Sequence, residues 1–453
     1  MSTFLVLFVI SQTWSTPIDL GIAGIDDIYP QVCHKQQMYT DTLCLVWQAF
    51  QGSDWEIYSR FSNGISWSDT IRITDNSPDD TRPRVTYDIN NNRFWCVWVR
   101  NDNIFAAYST GMTWSAAEQI TTGAPIDNLP SIHCISGEMW VVWQRIVGDS
   151  VNIYSSYRSG TSWSAAIPVT SEANVENSTP RVAESQTRVL AVWERGNDIY
   201  YSTYVSSSWQ TPQPITSSAA TDSAPEIASS DFGGTAVCWQ TDEHGDWEVY
   251  RTETGNFGVH HRVTNDVATD VIPCPLFYTI PVRQWDIPAI AFTSDRTGND
   301  DVYCWDEYQG SVAIDNDPAQ DLYPVLTANL RVYVWALWQT DRDGDWDICG
   351  NYQYIQGSVE ENCTGNVILC TISPNPFRSS TMIKLLTPNT KFQVKIYDAS
   401  GRLIRNLSHS TPDVLRSSLY WDGTDLHGHA IAPGIYFVAI NNSIVQKVVK
   451  IEW

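Results

Sequence analysis

The sequence predicts an all-β chain, a seven-bladed β-propeller followed by a small Ig-like β-sandwich. Three observations predict it. One motif recurs seven times at near-constant spacing, each copy reads as four short β-rich runs, and composition breaks sharply near residue 370.

The motif is Asp/Asn-x-x-Pro. It begins at Asp27, Asp80, Asp127, Asn177, Asp222, Asp270 and Asp321, and successive prolines lie 53, 47, 50, 45, 48 and 51 residues apart. After each proline comes a short apolar stretch, then an apolar run ending in an aromatic: Trp47, Trp98, Trp143, Trp193, Trp239, Phe292 and Trp338. A polar turn follows, then an acidic or amide residue before Ile or Val, as in Glu56-Ile57 and Asn152-Ile153. The copy closes with Gly-x-x-Trp-Ser and a run ending in Ile/Val-Thr, as in Gly64 to Thr74. Helical periodicity does not compete, so each copy is expected to form one four-stranded blade, its aromatics filling the space between blades. The seventh copy lacks its Trp-Ser strand, and Trp14-Ser15-Thr16-Pro17-Ile18 supplies the matching segment. The N-terminal strand is therefore expected to complete the last blade, removing the free edge.

Segment 371–453 carries nine basic and five acidic residues, whereas the preceding part carries 18 basic and 46 acidic. Lys35 is the only lysine before Lys384. The expected organisation is a signal peptide at 1–12, the propeller at 13–360, a linker at 361–370 and the sandwich at 371–453. The signal reading rests on the apolar run at residues 4–10, too short to span a membrane. A net charge of −24 argues against nucleic acid and anionic membrane surfaces as partners. The ten cysteines form no Cys-x-x-Cys. Cys33 with Cys44 and Cys363 with Cys370 are the pairings expected in an oxidising compartment, and Cys96 and Cys238 are expected as small buried apolar side chains.

In Ser156-Tyr157-Arg158-Ser159-Gly160-Thr161-Ser162-Trp163 the Ser, Gly and Trp resemble the Asp-box of sialidase-like propellers, with Arg158 in place of the Asp. The turns at Thr340-Asp341-Arg342-Asp343-Gly344 and Ser294-Asp295-Arg296-Thr297-Gly298 resemble those of TolB-type propellers. In the last segment, Ser373-Pro374-Asn375-Pro376-Phe377, then Val394-Lys395-Ile396-Tyr397-Asp398-Ala399-Ser400-Gly401, then Trp421-Asp422-Gly423 and Gly434-Ile435-Tyr436-Phe437 follow in order. This series resembles the type IX secretion sorting domain and the related FlgD Ig-like domain. The resemblance implies engagement of secretion machinery through 373–453, and a secreted or outer-surface location on a Gram-negative-type bacterium.

Sialidase chemistry needs an arginine cluster, a Tyr activated by a Glu, and an Asp acid. Arg84 and Arg181 follow the repeat proline, but the other copies have Gln31, Ser131, Glu226, Cys274 and Val325 there. The acidic propeller also disfavours a sialylated substrate. The expectation is an exported, non-catalytic propeller binding a glycan or a protein at the cell surface. The alternatives are a sialidase-like glycan hydrolase and a structural surface-layer component.

The ligand site is not legible, and no catalytic residue is assigned. Asp27, Asp80, Asp127, Asn177, Asp222, Asp270 and Asp321 are expected as a rim ring on one face, mostly structural, each capping backbone N–H groups at the turn into its strand. Other acidic turns should gather on that face. Asp341, Asp343, Asp345 and Asp347 are a weak candidate for Ca²⁺, having hard oxygen ligands at calcium-loop spacing without the downstream Glu. No other cofactor is expected.

Overall fold

A computed structural model describes residues 14–35, 42–64, 66–230, 234–253, 255–279, 286–307, 309–329, 333–354, 370–373, 377–385, 394–398, 401–407, 418–440 and 443–451. The expected signal segment, 1–12, and the linker stretch 361–369, including Cys363, lie outside these residues. The chain divides into two compact units, Met1–Ser358 and Val359–Trp453.

The first unit is a β-propeller. Its described residues form seven antiparallel sheets, one per repeat. In the first sheet the strands run outward as Asp27–His34, Leu43–Gln51, Asp54–Ser62 and Ile71–Arg72. Innermost strands of successive repeats contact one another in cyclic order, and the innermost strand of the seventh meets that of the first. These contacts close the ring. Ile18–Asp19 pairs antiparallel with the third strand of the seventh sheet, Ile18 opposite Gly350 and Asp19 opposite Cys349. Ser15 N–H donates to the Tyr352 carbonyl at 2.9 Å, and Leu20 is buried behind the seam.

Each innermost strand breaks register just after the Asx, leaving two residues opposite one. At every one of these bulges the residue before the proline is left-handed and none is glycine: Tyr29, Arg82, Leu129, Thr179, Ala224, Ile272 and Tyr323 have φ between 47° and 57°. That conformation costs roughly 1–2 kcal/mol per residue. Proline suits the next position, because a register break needs no ladder N–H there.

The bulge turns the Asx side chain inward. All seven Asx residues of the expected ring are buried. Their main partner is not the expected one. In five sheets the Asx oxygen accepts from the indole Nε1–H of the repeat tryptophan: Trp47 to Asp27 at 2.9 Å, Trp98 to Asp80 at 2.8 Å, Trp143 to Asp127 at 2.9 Å, Trp193 to Asn177 at 3.0 Å and Trp239 to Asp222 at 3.2 Å. Local N–H capping fails as a general account because the bulge points the carboxylate across the sheet toward the second strand. Asp27 alone adds such a contact, accepting from Ile22 N–H.

Three copies add a cation. Arg100 grips Asp80 at 2.7 and 2.8 Å, Arg145 grips Asp127 at 2.6 and 2.7 Å, and in the sixth sheet, where Phe292 replaces the indole donor, Arg296 reaches Asp270 at 2.8 Å. Asp27 and Asp321 have no such arginine. Burial pushes both carboxyls up to about 7, and the charges of Asp347 and Asp19 beside Asp27 and of Asp315 beside Asp321 add to the rise.

A second link joins neighbouring sheets. The residue after the repeat tryptophan accepts from the left-handed N–H of the next repeat: Gln48 from Arg82 at 2.8 Å, Glu194 from Ala224 at 2.7 Å, Gln240 from Ile272 at 2.9 Å, and across the seam Gln339 from Tyr29 at 3.1 Å. Four of the seven repeats thus hold the bulge of their successor. Cys33 and Cys44 stand opposite each other on adjacent strands, yet both thiols are free, so the expected pairing is absent here. Cys96 and Cys238 are buried among apolar neighbours, as read from their strands.

The second unit contains a three-stranded sheet of Cys370–Ser373, Thr381–Leu385 and Ser418–Trp421, and a four-stranded sheet of Leu403–Asn406, Val394–Asp398, Gly434–Ile440 and Ser443–Lys450. Phe377, Ile383, Val394, Ile396, Trp421, Tyr436 and Val438 form one core. Gly423 has φ 66°, and a Cβ there would lie 3.1 Å from Phe377, so the Asp-Gly turn needs its glycine twice over.

Trp143→Phe should lower stability by roughly 1–3 kcal/mol in urea unfolding, because Asp127 loses its indole donor in the interior. Stability should also depend on Asp27 and Asp321. Folded-state carboxyls raised from 3.8 to about 7 hold protons that the unfolded chain releases, so their contribution is full below about pH 4 and lost as pH rises through 7. Asn177 shows that the site accepts an amide. In Asp27→Asn with Asp321→Asn, the fall in unfolding midpoint between pH 5 and 8 should flatten relative to wild type.

Candidate functional site

The seven residues that follow the repeat prolines occupy equivalent places on the innermost strands, and here the copies diverge. Four of them form one polar constellation. Arg84, in the second sheet, donates from Nη1 to Gln31 Oε1 of the first sheet at 2.9 Å and from Nη2 to Glu226 Oε1 of the fifth at 2.9 Å. Arg181, in the fourth sheet, donates from Nε to the same Glu226 oxygen at 2.6 Å and from Nη1 to the Pro180 carbonyl at 2.9 Å. The second and fifth sheets are not neighbours, so the contact between Arg84 and Glu226 crosses the ring's axis. The three charged side chains are between 13% and 23% exposed, open to the channel rather than sealed.

Burial raises the Glu226 carboxyl, but Arg181 and Arg84 together outweigh it and hold the group below its ordinary value. Burial also lowers Arg181, with Arg84 adding to that effect and Glu226 opposing it. Glu226 is thus a fixed anion between two guanidiniums. It orients their planar donor forks and is poorly suited to deliver a proton. At the bulges of the first and seventh sheets, Tyr29 and Tyr323 meet edge to face at 4.9 Å. Burial, with the charge and hydrogen bonding of the Tyr29 hydroxyl, holds the Tyr323 hydroxyl up at about 12, and the Arg82 charge works against that shift.

The sequence singled out Arg84 and Arg181 as possible members of an arginine cluster, and the structure brings them together. It did not single out Glu226 as their shared partner. The available signal was that three charged residues share one register among seven copies. The seven Asx residues, by contrast, serve the scaffold.

The candidate cation loop divides its carboxylates among different tasks. Asp341 accepts from Gln320 N–H at 2.8 Å, just as Asp242 accepts from Thr221 at 2.7 Å and Asp295 from Thr269 at 2.7 Å. Asp347 is buried at the start of its strand, with a carboxyl pushed up to about 7 by burial and by Asp19, Asp345 and Asp343. Among the described residues no group of three or more His, Cys, Asp or Glu side chains could hold a metal ion. The acidic turns of the last three sheets instead clip the entry to the innermost strand.

Residues 376–444 match the FlgD Ig-like domain family. No curated protein matches the chain. Solved structures similar to it include a protein of unknown function from Dyadobacter fermentans DSM 18053, with TM-score 0.46 and 12% identity over 75% of this chain and 98% of that one. They also include the intramolecular trans-sialidase of Ruminococcus gnavus, with TM-score 0.42 and 10% identity over 73% and 94%. A third is the fucose-specific lectin of Aleuria aurantia, with TM-score 0.43 and 13% identity over 65% and 96%.

Glu226→Gln leaves two guanidiniums facing each other across a neutral amide. Urea unfolding should show a loss of about 1–3 kcal/mol, reduced from a fully buried pair by access to the channel and partly recovered by added salt.

Proposed function

We propose that the chain is an exported, non-catalytic propeller that binds a glycan at the cell surface, delivered through its C-terminal Ig-like unit. The observation that supports binding over hydrolysis is Glu226, locked as an anion between Arg84 and Arg181. An acid catalyst must hold a proton near neutral pH, and this carboxyl is driven the other way. What the constellation offers is a rigid set of planar donors, and sugar hydroxyls are read by such fixed polar groups. The sorting resemblance of 373–453 and the FlgD Ig-like match at 376–444 support the delivery role.

The test is a glycan array probed with the full chain, followed by mass spectrometry of the bound glycans. Retention of intact glycans is expected. Shortened products would point to hydrolysis, and an empty array alongside capture of a defined surface protein would point to a protein ligand. For export, deletion of 373–453 should leave the propeller in the periplasm. Unchanged surface delivery would reduce that unit to an appendage.

A further inference from the structure

A second place on the propeller carries ligand chemistry that neither the repeat scaffold nor the axial constellation uses. Between the first and second sheets, at the end bearing the Gly-x-x-Trp turns, lies a cleft of about 540 Å³. That volume falls within the range of small-ligand sites, roughly 300–1,000 Å³. Phe61, Tyr87 and Phe94 contribute its apolar lining, Trp67 stands at its side, and Met112 at its lip is 54% exposed.

The tryptophan at its side differs from its counterparts. The outer-strand tryptophans of the second and fourth repeats tether to the preceding sheet, Trp114 Nε1 to Ser59 at 2.9 Å and Trp209 Nε1 to Ser155 at 2.9 Å. In the seventh sheet the equivalent of that serine is Gly350, which faces Ile18 as Ser59 faces Ile71. Trp67 consequently has a buried Nε1 without a partner and packs edge-on against Trp335 at 5.4 Å.

Charge is the second anomaly. The propeller side of the chain holds 46 acidic and 18 basic residues, yet its one lysine, Lys35, lines this cleft together with Arg93. Arg93 lies over the Tyr108 ring at 4.3 Å and reaches Asp88 at 3.3 Å. Lys35 has no acidic partner among the described residues. Beside them, Asn92 Oδ1 accepts from the Tyr87 hydroxyl at 2.8 Å, which fixes the amide at the cleft wall.

Resting on the glycan-binding reading, we infer that this cleft is a subsite for an anionic sugar. The side formed by Trp67 and Met112 takes the apolar face of the ring, and Lys35 with Arg93 takes its carboxylate or sulfate. Repulsion from the acidic remainder is screened beyond about 8 Å at physiological salt, so the contact charges decide at this range.

The experiment is a glycan array carrying uronate, sulfated and neutral glycans, probed with the full chain and with Lys35→Ala and Lys35→Arg. Thermal melts confirm that both variants are folded. Wild type should favour acidic glycans. Lys35→Ala should lose about tenfold of that binding, Lys35→Arg should keep most of it, and neutral signals should not move. Comparison of the uronate and sulfate arms identifies the anionic group. Undiminished acidic binding by Lys35→Ala, or no acidic preference in wild type, overturns the cleft assignment and leaves glycan binding standing. An array with no binding at all overturns both.

Discussion

The buried hydrogen bond between an Asx side chain and a tryptophan indole organises the first unit. An Asp or Asn placed in the interior must find a donor there or cost several kcal/mol. The indole supplies one from the adjacent strand, and it can do so only if the innermost strand bulges and twists the Asx inward. The bulge in turn demands a left-handed residue, tolerates proline after it, and in four of the seven copies presents an N–H that a side chain of the neighbouring sheet captures. One polar contact thereby accounts for the motif, the strain and the link between repeats.

The deviations follow the same logic. Phe292 cannot donate, and Arg296 arrives from the following turn to reach Asp270. Val99 stands where Gln48 stands in the first sheet, and Leu129 N–H is instead accepted by its own neighbour Asn128 at 2.8 Å. Ala106 stands where Ser59 would, and Trp163 donates to Glu118 at 3.1 Å. Where no substitute exists, the atom stays orphaned, as with Trp67 Nε1 opposite Gly350.

Much of the fold was legible because the constraint repeats. Seven Asx-x-x-Pro motifs, seven aromatics and one displaced Trp-Ser strand predicted the sheets and the seam at Ile18. The role of the Asx residues was misread, because spacing along a strand reveals position but not which way a bulge turns a side chain. Asp341 has a partner that spacing could not reveal, an N–H 21 residues earlier in the chain. Glu226 was hidden in the same way. Its partners lie 45 and 142 residues away and become neighbours only when the ring closes. Sites made of residues that break a repeat are seen by comparing copies at one register, and the copies here differ most just after the proline.

The seam also sets an order of events in time. Tyr29 donates to Gln339, 310 residues further along, and Ile18 waits for Gly350. During synthesis the first sheet therefore forms with an unclasped bulge on one flank and a loose N-terminal strand, and neither can be completed until the seventh sheet exists. Intermediate sheets can dock on their predecessors as they emerge. The last step is a single long-range capture that converts an open arc with two exposed flanks into a body with none, and until it occurs every partly made chain carries the same sticky end.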